Sequence, residues 1–350
     1  LFISPSDFAT CLYIKILYTK IHVIDPTSSG SLEIIMTAPP TGTSTGTLPV
    51  RSPLQAPFLL LVTGTLLTVT IVLSRLAGDE SAPMLWFVSV SMGGGGVILL
   101  GIAVLSGQAM GVWKILLAYS LGAGIFQAVS MATAYLAVAH VGISYVSLAF
   151  AFPLLITYVL ALAVGMERLA WQRAAGVTVG LAGGLMIALS KYTGLADDQG
   201  GDGSALGWII AASAIPFILA GGNLYRTRFW PKGAPPLLLA ALMLIFASAL
   251  TVAAALAFEG PAAAAALWQS PALLTLTVVN IVAFAFKFVT YFQLQHVAGP
   301  VYLSQIGSVG AAVGIPVAVL YFSETLPDGF TLAVVLIVAG AVLFQIRAAR

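Results

Sequence analysis

The stretch PALLTLTVVNIVAFAFKFVTYFQLQ, Pro271–Gln295, holds one charged residue, Lys287, in an otherwise uncharged run. Coiled as a helix at about 1.5 Å per residue, it is longer than the roughly 30 Å hydrocarbon core of a bilayer. A run so long and so apolar reads as a membrane-spanning helix. Its surroundings share its character. The chain of 350 residues is 60% hydrophobic and 7% charged, with a mean hydropathy of +1.04. Soluble domains carry roughly 25% charged residues. So few charges cannot cover a water-facing surface, but they suit a lipid-facing one. The chain therefore reads as an all-α integral membrane protein whose first partner is the lipid bilayer.

Working outward, the same criterion marks ten candidate spans. They are residues 58–76, 85–105, 113–138, 143–165, 173–190, 205–225, 236–258, 271–295, 301–322 and 329–346. A polar loop rich in Gly and Asp is expected at 191–204. Residues 1–55 read as a disordered N-terminal tail, since residues 39–49 are rich in Pro, Thr and Gly and cannot bury enough surface to offset ordering. Met36 reads as the native start, with residues 1–35 as upstream sequence. The alternative, a targeting peptide, lacks the small-residue cleavage site of a secretory signal.

Charge placement tests the span count. With a cytoplasmic N-terminus, Arg51, Lys114, Arg168, Arg173, Arg226, Arg228, Lys232, Arg347 and Arg350 fall on the cytoplasmic side. Only Arg75 and Lys191 fall outside, accompanied by Asp79, Glu80, Asp197, Asp198, Asp202 and Glu259. That bias follows the positive-inside rule. Ten spans with both termini cytoplasmic, in the cell membrane, is the resulting expectation.

The chain also repeats itself at one offset. Glu324 and Glu167 differ by 324 − 167 = 157, and the same offset pairs Thr133 with Thr290, Gly142 with Gly299, Tyr145 with Tyr302 and Ser147 with Ser304. Five spans per half is an odd number, so the second half enters the membrane in the opposite sense. Two inverted five-helix repeats, residues 56–190 and 205–346, are expected. This build is frequent in secondary transporters, whose sites lie between the repeats near the midplane.

The segment GISYVSLAFAFPLLITYVLALAVGMERLAWQRAAGVTVGLAGGLMIAL, residues 142–189, carries a family pattern. It has a small-residue start, a mid-helix Pro153, then Gly165, Glu167 and Arg168 at the helix end, followed by a fifth helix with Gly176, Gly180, Gly183 and Gly184. It resembles the EamA-like families of the drug/metabolite transporter superfamily. In the second copy, residues 299–344, Pro316 is shifted relative to Pro153 and Thr325 stands where the first copy has Arg168. The resemblance covers about residues 56–346. It implies a ten-helix carrier working by alternating access, often exporting amino acids or other small metabolites.

Lys287 is the leading candidate for chemistry. It lies eight residues from the end of its span at Gln295, about 12 Å along the helix, too far for its stem to snorkel comfortably. A charge at that depth persists where it faces a polar cavity or a partner. Asn280, Phe284, Lys287 and Tyr291 are spaced 4, 3 and 4 residues apart, which places them on one helix face. The offset of 157 maps this face onto Gln127 and Ser130 in the third span. These six residues form the expected substrate site. The bland alternative is a lysine held by backbone carbonyls or Gln127 for packing alone.

Glu167 and Glu324 sit at helix ends and read as end-capping or gate-closing carboxylates rather than proton carriers. Gly93–Gly96 and Gly176/Gly180 read as sites of close helix approach. No metal-ligand spacing is present: His22, His140 and His296 are scattered, and Cys11 is the single cysteine. No cofactor is expected. Nothing resembles a phosphate-binding GxxxxGK[ST] motif, and no Ser–His, paired-Asp or HExxH constellation suggests an enzyme. The net charge of +2 gives no reason to expect a nucleic-acid partner. The expectation is a carrier for a small polar or anionic metabolite, with a second copy of the chain as a candidate partner. The alternatives are an exporter of drugs or aromatic compounds, or a membrane assembly protein without transport activity.

Overall fold

The computed structural model describes residues 55–107, 113–165, 169–198, 204–303, 305–326 and 329–345. The tail before Gln55, the helix-end pair Glu167 and Arg168, the repeat residue Ser304 and the Gly-rich segment 199–203 lie outside the described residues. The described residues are helical throughout, joined by short turns, with no β-strand among them. In order the principal helices are α1 Gln55–Asp79, α2 Met84–Leu105, α3 Trp113–Ala149, α4 Pro153–Ala163, α5 Trp171–Asp198, α6 Ser204–Arg228, α7 Pro236–Phe258, α8 Pro271–Leu303, α9 Ile306–Phe322 and α10 Phe330–Gln345. A 3₁₀ turn at Pro261–Ala265 and one helical turn at Ala266–Gln269 link α7 to α8. Seven of these helices contain a segment long and apolar enough to cross a membrane; α4, α9 and α10 contribute shorter apolar helices. This is an all-α, multi-pass membrane architecture.

Small residues decide which helices meet. A Cβ on Gly95 of α2 would lie 3.0 Å from the Cβ of Phe284 on α8, and one on Gly96 would lie 3.1 Å from the backbone nitrogen of Ile245 on α7. The glycine run therefore brings α7 and α8 into backbone proximity with α2. In the α5–α10 pair, Gly183 faces the Ala333 carbonyl and Gly340 faces the backbone of Gly176 and Gly180. With lipid on the outside there is little hydrophobic drive between helices, so this close packing carries the association.

The expected fourth span, 143–165, is not one helix. Gly142 takes φ +87 and ψ 164, which breaks α3 after Val141 and restarts it at Ile143. A second interruption follows at Phe150–Phe152, where i→i+3 bonds such as Ala151 N–H to Leu148 O (2.8 Å) and Leu155 N–H to Phe152 O (3.0 Å) keep the backbone satisfied. Pro153 is thus not a kink inside a helix. It occupies the first turn of α4, where its missing N–H costs nothing. The expected ninth span is likewise divided: α8 runs on to Leu303, and α9 begins at Ile306.

The two interruptions meet. A Cβ on Gly307 would overlap the carbonyl of Phe150. Backbone outside regular helix is tolerated at membrane depth only where protein or a cavity covers it, and each interruption covers the other here. The polar loop expected at 191–204 is shorter than its composition suggested. The backbone of α5 stays helical to Asp198 and α6 starts at Ser204. Polar residues do not end a helix while its i→i−4 bonds can continue, and no proline intervenes before the Gly-rich segment.

Candidate functional site

Lys287 is the central residue of α8, 16 positions from Pro271 (287 − 271) and 16 from Leu303 (303 − 287). It is 3% exposed. Its Nζ donates to Thr70 Oγ1 of α1 at 3.2 Å. The same atom lies 4.0 Å from the ring centroid of Phe284 and 5.2 Å from that of Phe288. Ring faces carry negative quadrupole density, so these contacts hold an ammonium without neutralising it.

Lys287 lines a cavity of about 70 Å³, room for several waters. Its lining includes Thr63 and Leu67 of α1, Gln127 and Met131 of α3, and Phe150 and Pro153 at the first interruption. Leu219, Asn223 and Arg226 of α6, Phe288 and Tyr291 of α8, and Leu303, Ile306 and Gly307 at the second interruption complete it. Residues at both interruptions thus line the space that Lys287 occupies.

Of the residues expected beside Lys287, Tyr291 and Gln127 share this cavity. Asn280 and Phe284 do not line it, although helical phase puts them on the same face. Asn280 is fully buried, with Nδ2 donating to Ser91 Oγ (2.9 Å) and Tyr135 Oη (3.0 Å). It ties α8 to α2 and α3. Phe284 packs between Tyr135 and Phe288. The reason lies in α2, whose Gly94–Gly95 pair lets it close over the first half of this face; the cavity opens only from Lys287 onward. Ser130 is turned inward as well, donating to the Gln127 carbonyl at 3.2 Å within its own helix.

One functional candidate was not legible as such. Arg226 is 3% exposed and lines the cavity, although its place near a span end suggested a loop charge. Its Nη2 donates to Asn223 Oδ1 at 2.7 Å and to Tyr291 Oη at 2.9 Å. The guanidinium carbon sits 5.5 Å from the Tyr291 ring centroid. The available signal was spacing. Leu219, Asn223 and Arg226 are 4 and 3 residues apart, so an amide and a cation share one face of an otherwise apolar helix.

The cavity lining includes no Asp or Glu. The four carboxylates whose side chains are described, Asp79, Glu80, Glu259 and Glu324, are engaged elsewhere or exposed. Asp79 pairs with Arg75 at 3.1 Å. Glu259 accepts from the N–H groups of Leu85 (2.8 Å) and Trp86 (3.0 Å) at the start of α2. Glu80 lies exposed at a turn. Glu324, beyond the end of α9, accepts from Ile143 N–H (2.6 Å), Ser144 N–H (3.1 Å) and Ser144 Oγ (2.7 Å). A carboxylate at the start of a helix meets unsatisfied N–H groups and the positive end of the helix dipole. Glu324 therefore clamps the restart of α3 at Gly142, where an added Cβ would lie 2.8 Å from Glu324 Oε2.

A second cavity, about 260 Å³, lies among the end of α3, α4, α5 and α6. Its walls are apolar apart from Tyr145 and Ser213, whose hydroxyls are hydrogen-bonded to each other at 2.8 Å. No group of three or more metal-ligating side chains occurs among the described residues.

No family model matches the sequence, and no curated protein matches it. Among solved structures, one described simply as "Crystal structure of protein" aligns with 85% of this chain and 98% of its own, at 20% identity and a TM-score of 0.57. At that identity the likeness is one of fold: this helical architecture is shared along nearly the whole of another protein.

Proposed function

We propose that this chain is a secondary transporter of the EamA-like type, moving a small polar or anionic metabolite by alternating access. The observation that carries the reading is Lys287, a cation at the centre of α8 that lines a cavity between two broken helices. Discontinuous helices around a midplane cavity are the usual setting of a transporter's site.

Helix packing supports two related halves. Advancing each helix by five turns α2 into α7 and α5 into α10, and both pairs are closely packed. The α3–α6 contact corresponds to α8–α1, the α3–α7 contact to α8–α2, and the α4–α6 contact to α9–α1. All of these pairs pack together. The correspondence fails chiefly at two places: α9 and α1 both pack on α3, whereas their counterparts, α4 and α6, make at most slight contact with α8; the smaller α1–α2, α4–α5 and α5–α6 contacts also lack counterparts. Within the inverted-repeat reading, that asymmetry is a conformational state. The mouth at Gly142 and Glu324 is shut, and the mouth near Arg226 and Leu303 is the looser one. With cytoplasmic termini the cavity then faces the cytoplasm.

Two buried cations and no carboxylate disfavour cationic drugs as cargo, by like-charge repulsion in a medium of low dielectric. The test is uptake into proteoliposomes containing the purified chain, screened with labelled small anions and zwitterions. Lys287→Ala should abolish transport while leaving membrane insertion intact, and Lys287→Arg should keep part of it, because charge survives while geometry changes. A Lys287→Ala protein that transports at the normal rate would refute the reading.

A further inference from the structure

Lys287 has a counterpart in the same cavity. Arg226 is buried to the same degree, and its partners, Asn223 and Tyr291, are neutral. Its Nε is buried without any hydrogen-bond partner, and so is Nε2 of Gln127, 4% exposed and lining the same cavity. Lys287 makes one side-chain hydrogen bond, to neutral Thr70, with three protons to give. The cavity thus gathers unused donors and two positive charges, and its lining supplies no negative one. A buried arginine or lysine that serves packing alone is ordinarily given a carboxylate, because an uncompensated buried charge is strongly unfavourable.

We propose that Arg226 and Lys287 bind the two ends of a small dicarboxylate, which makes Arg226 a specificity-determining residue of the site. Two cations call for two anionic groups, and the two cations are anchored on different partners. Lys287 is held by Thr70 and two phenyl rings, while Arg226 is tied to α6 and to Tyr291, one helical turn beyond Lys287 on α8. A ligand with a carboxylate at each end offers one anionic group to each cation. The lining also includes apolar Leu67, Met131, Leu219 and Phe288, which suits a short methylene chain. An amino acid fits less well, since its ammonium would meet two cations and no carboxylate.

This proposal rests on the carrier reading, and the experiment separates the two. Binding to the purified full chain in detergent is followed by tryptophan fluorescence and by thermal shift, with succinate, propionate, β-alanine and inorganic phosphate as probes. Succinate should bind at least about tenfold tighter than the other three, each tenfold step being about 1.4 kcal/mol. Arg226→Gln should lower succinate affinity to the level of propionate, and Arg226→Lys should keep part of it. The proposal is overturned if propionate, β-alanine or phosphate binds as tightly as succinate, or if a folded Arg226→Gln protein binds succinate unchanged. Should that variant fail to fold, the four probes on the unaltered chain and the Arg226→Lys protein decide. Counterflow of labelled succinate in proteoliposomes then tests the carrier. Selective succinate binding without flux upholds the site and sinks the transport reading. Flux of β-alanine or propionate with no preference for succinate upholds transport and overturns the dicarboxylate.

Discussion

At the scale of single residues, charge and volume make opposite demands on this molecule. Lys287 is buried beneath aromatic rings with one neutral hydrogen-bond partner, so its charge opposes stability rather than contributing to it. Replacing a poorly compensated buried ion by an apolar side chain of similar length is often neutral or stabilising. Lys287→Met should therefore melt no lower than the unaltered protein while losing transport, a pairing that thermal melts and proteoliposome flux would reveal. A melting temperature that falls sharply would instead make the lysine a structural bolt. Gly307 illustrates the opposite demand. Any Cβ there overlaps the Phe150 carbonyl, and both residues belong to backbone that cannot move into lipid. Gly307→Ala should destabilise by about 1–3 kcal/mol, the range for overpacking a close contact, read as a loss of melting temperature and of folded yield.

At the scale of elements, the Glu324 clamp is the sharpest junction between α3 and the segment after α9. One carboxylate satisfies two backbone N–H groups and a hydroxyl at the restart of α3. Hydrogen bonds to a charged group contribute roughly 1.5–3 kcal/mol. Glu324→Ala should lower stability by about that amount, and Glu324→Gln, which keeps the shape and loses the charge, should recover part. Thermal melts check this directly. An unchanged melting temperature for Glu324→Ala would mean that water replaces the carboxylate without cost. The α5–α10 contact is a second junction, built from Gly176, Gly180, Gly183 and Gly340. Gly340→Val should separate these helices, because its side chain would have to displace the Gly176 and Gly180 backbone. The expected result is loss of folded protein in detergent, followed by size-exclusion chromatography.

At the scale of the whole molecule, the prediction concerns orientation. The excess of Lys and Arg at alternate span ends favours cytoplasmic termini. Reporter fusions after Asp198 should be active outside and fusions after Arg228 inside. A tag at Arg228 reached by an impermeant reagent on intact cells would overturn the orientation. Burial of Arg226 removes one charge from the loop count without reversing its sign, since Arg228 and Lys232 remain at the same end.

What the amino-acid sequence determined alone is what hydropathy determines. Long uncharged runs must lie in lipid or protein, so the helical membrane class and most span positions are local properties that a window of 20 or so residues contains. The oddness of Lys287 was equally local, since no neighbour in its run could carry the charge to water. Which residues share its cavity was not local. Asn280 and Lys287 lie on one face of one helix, yet α2 packs against the first through Gly94 and Gly95 and leaves the second open. Arg226 looked like a loop charge because its burial comes from Tyr291, 65 positions away in the chain. The interruptions at Phe150 and before Ile306 face each other for the same reason. A helix's own periodicity sets which side chains share a face, but only the helices packed against it decide whether that face is core, cavity or lipid.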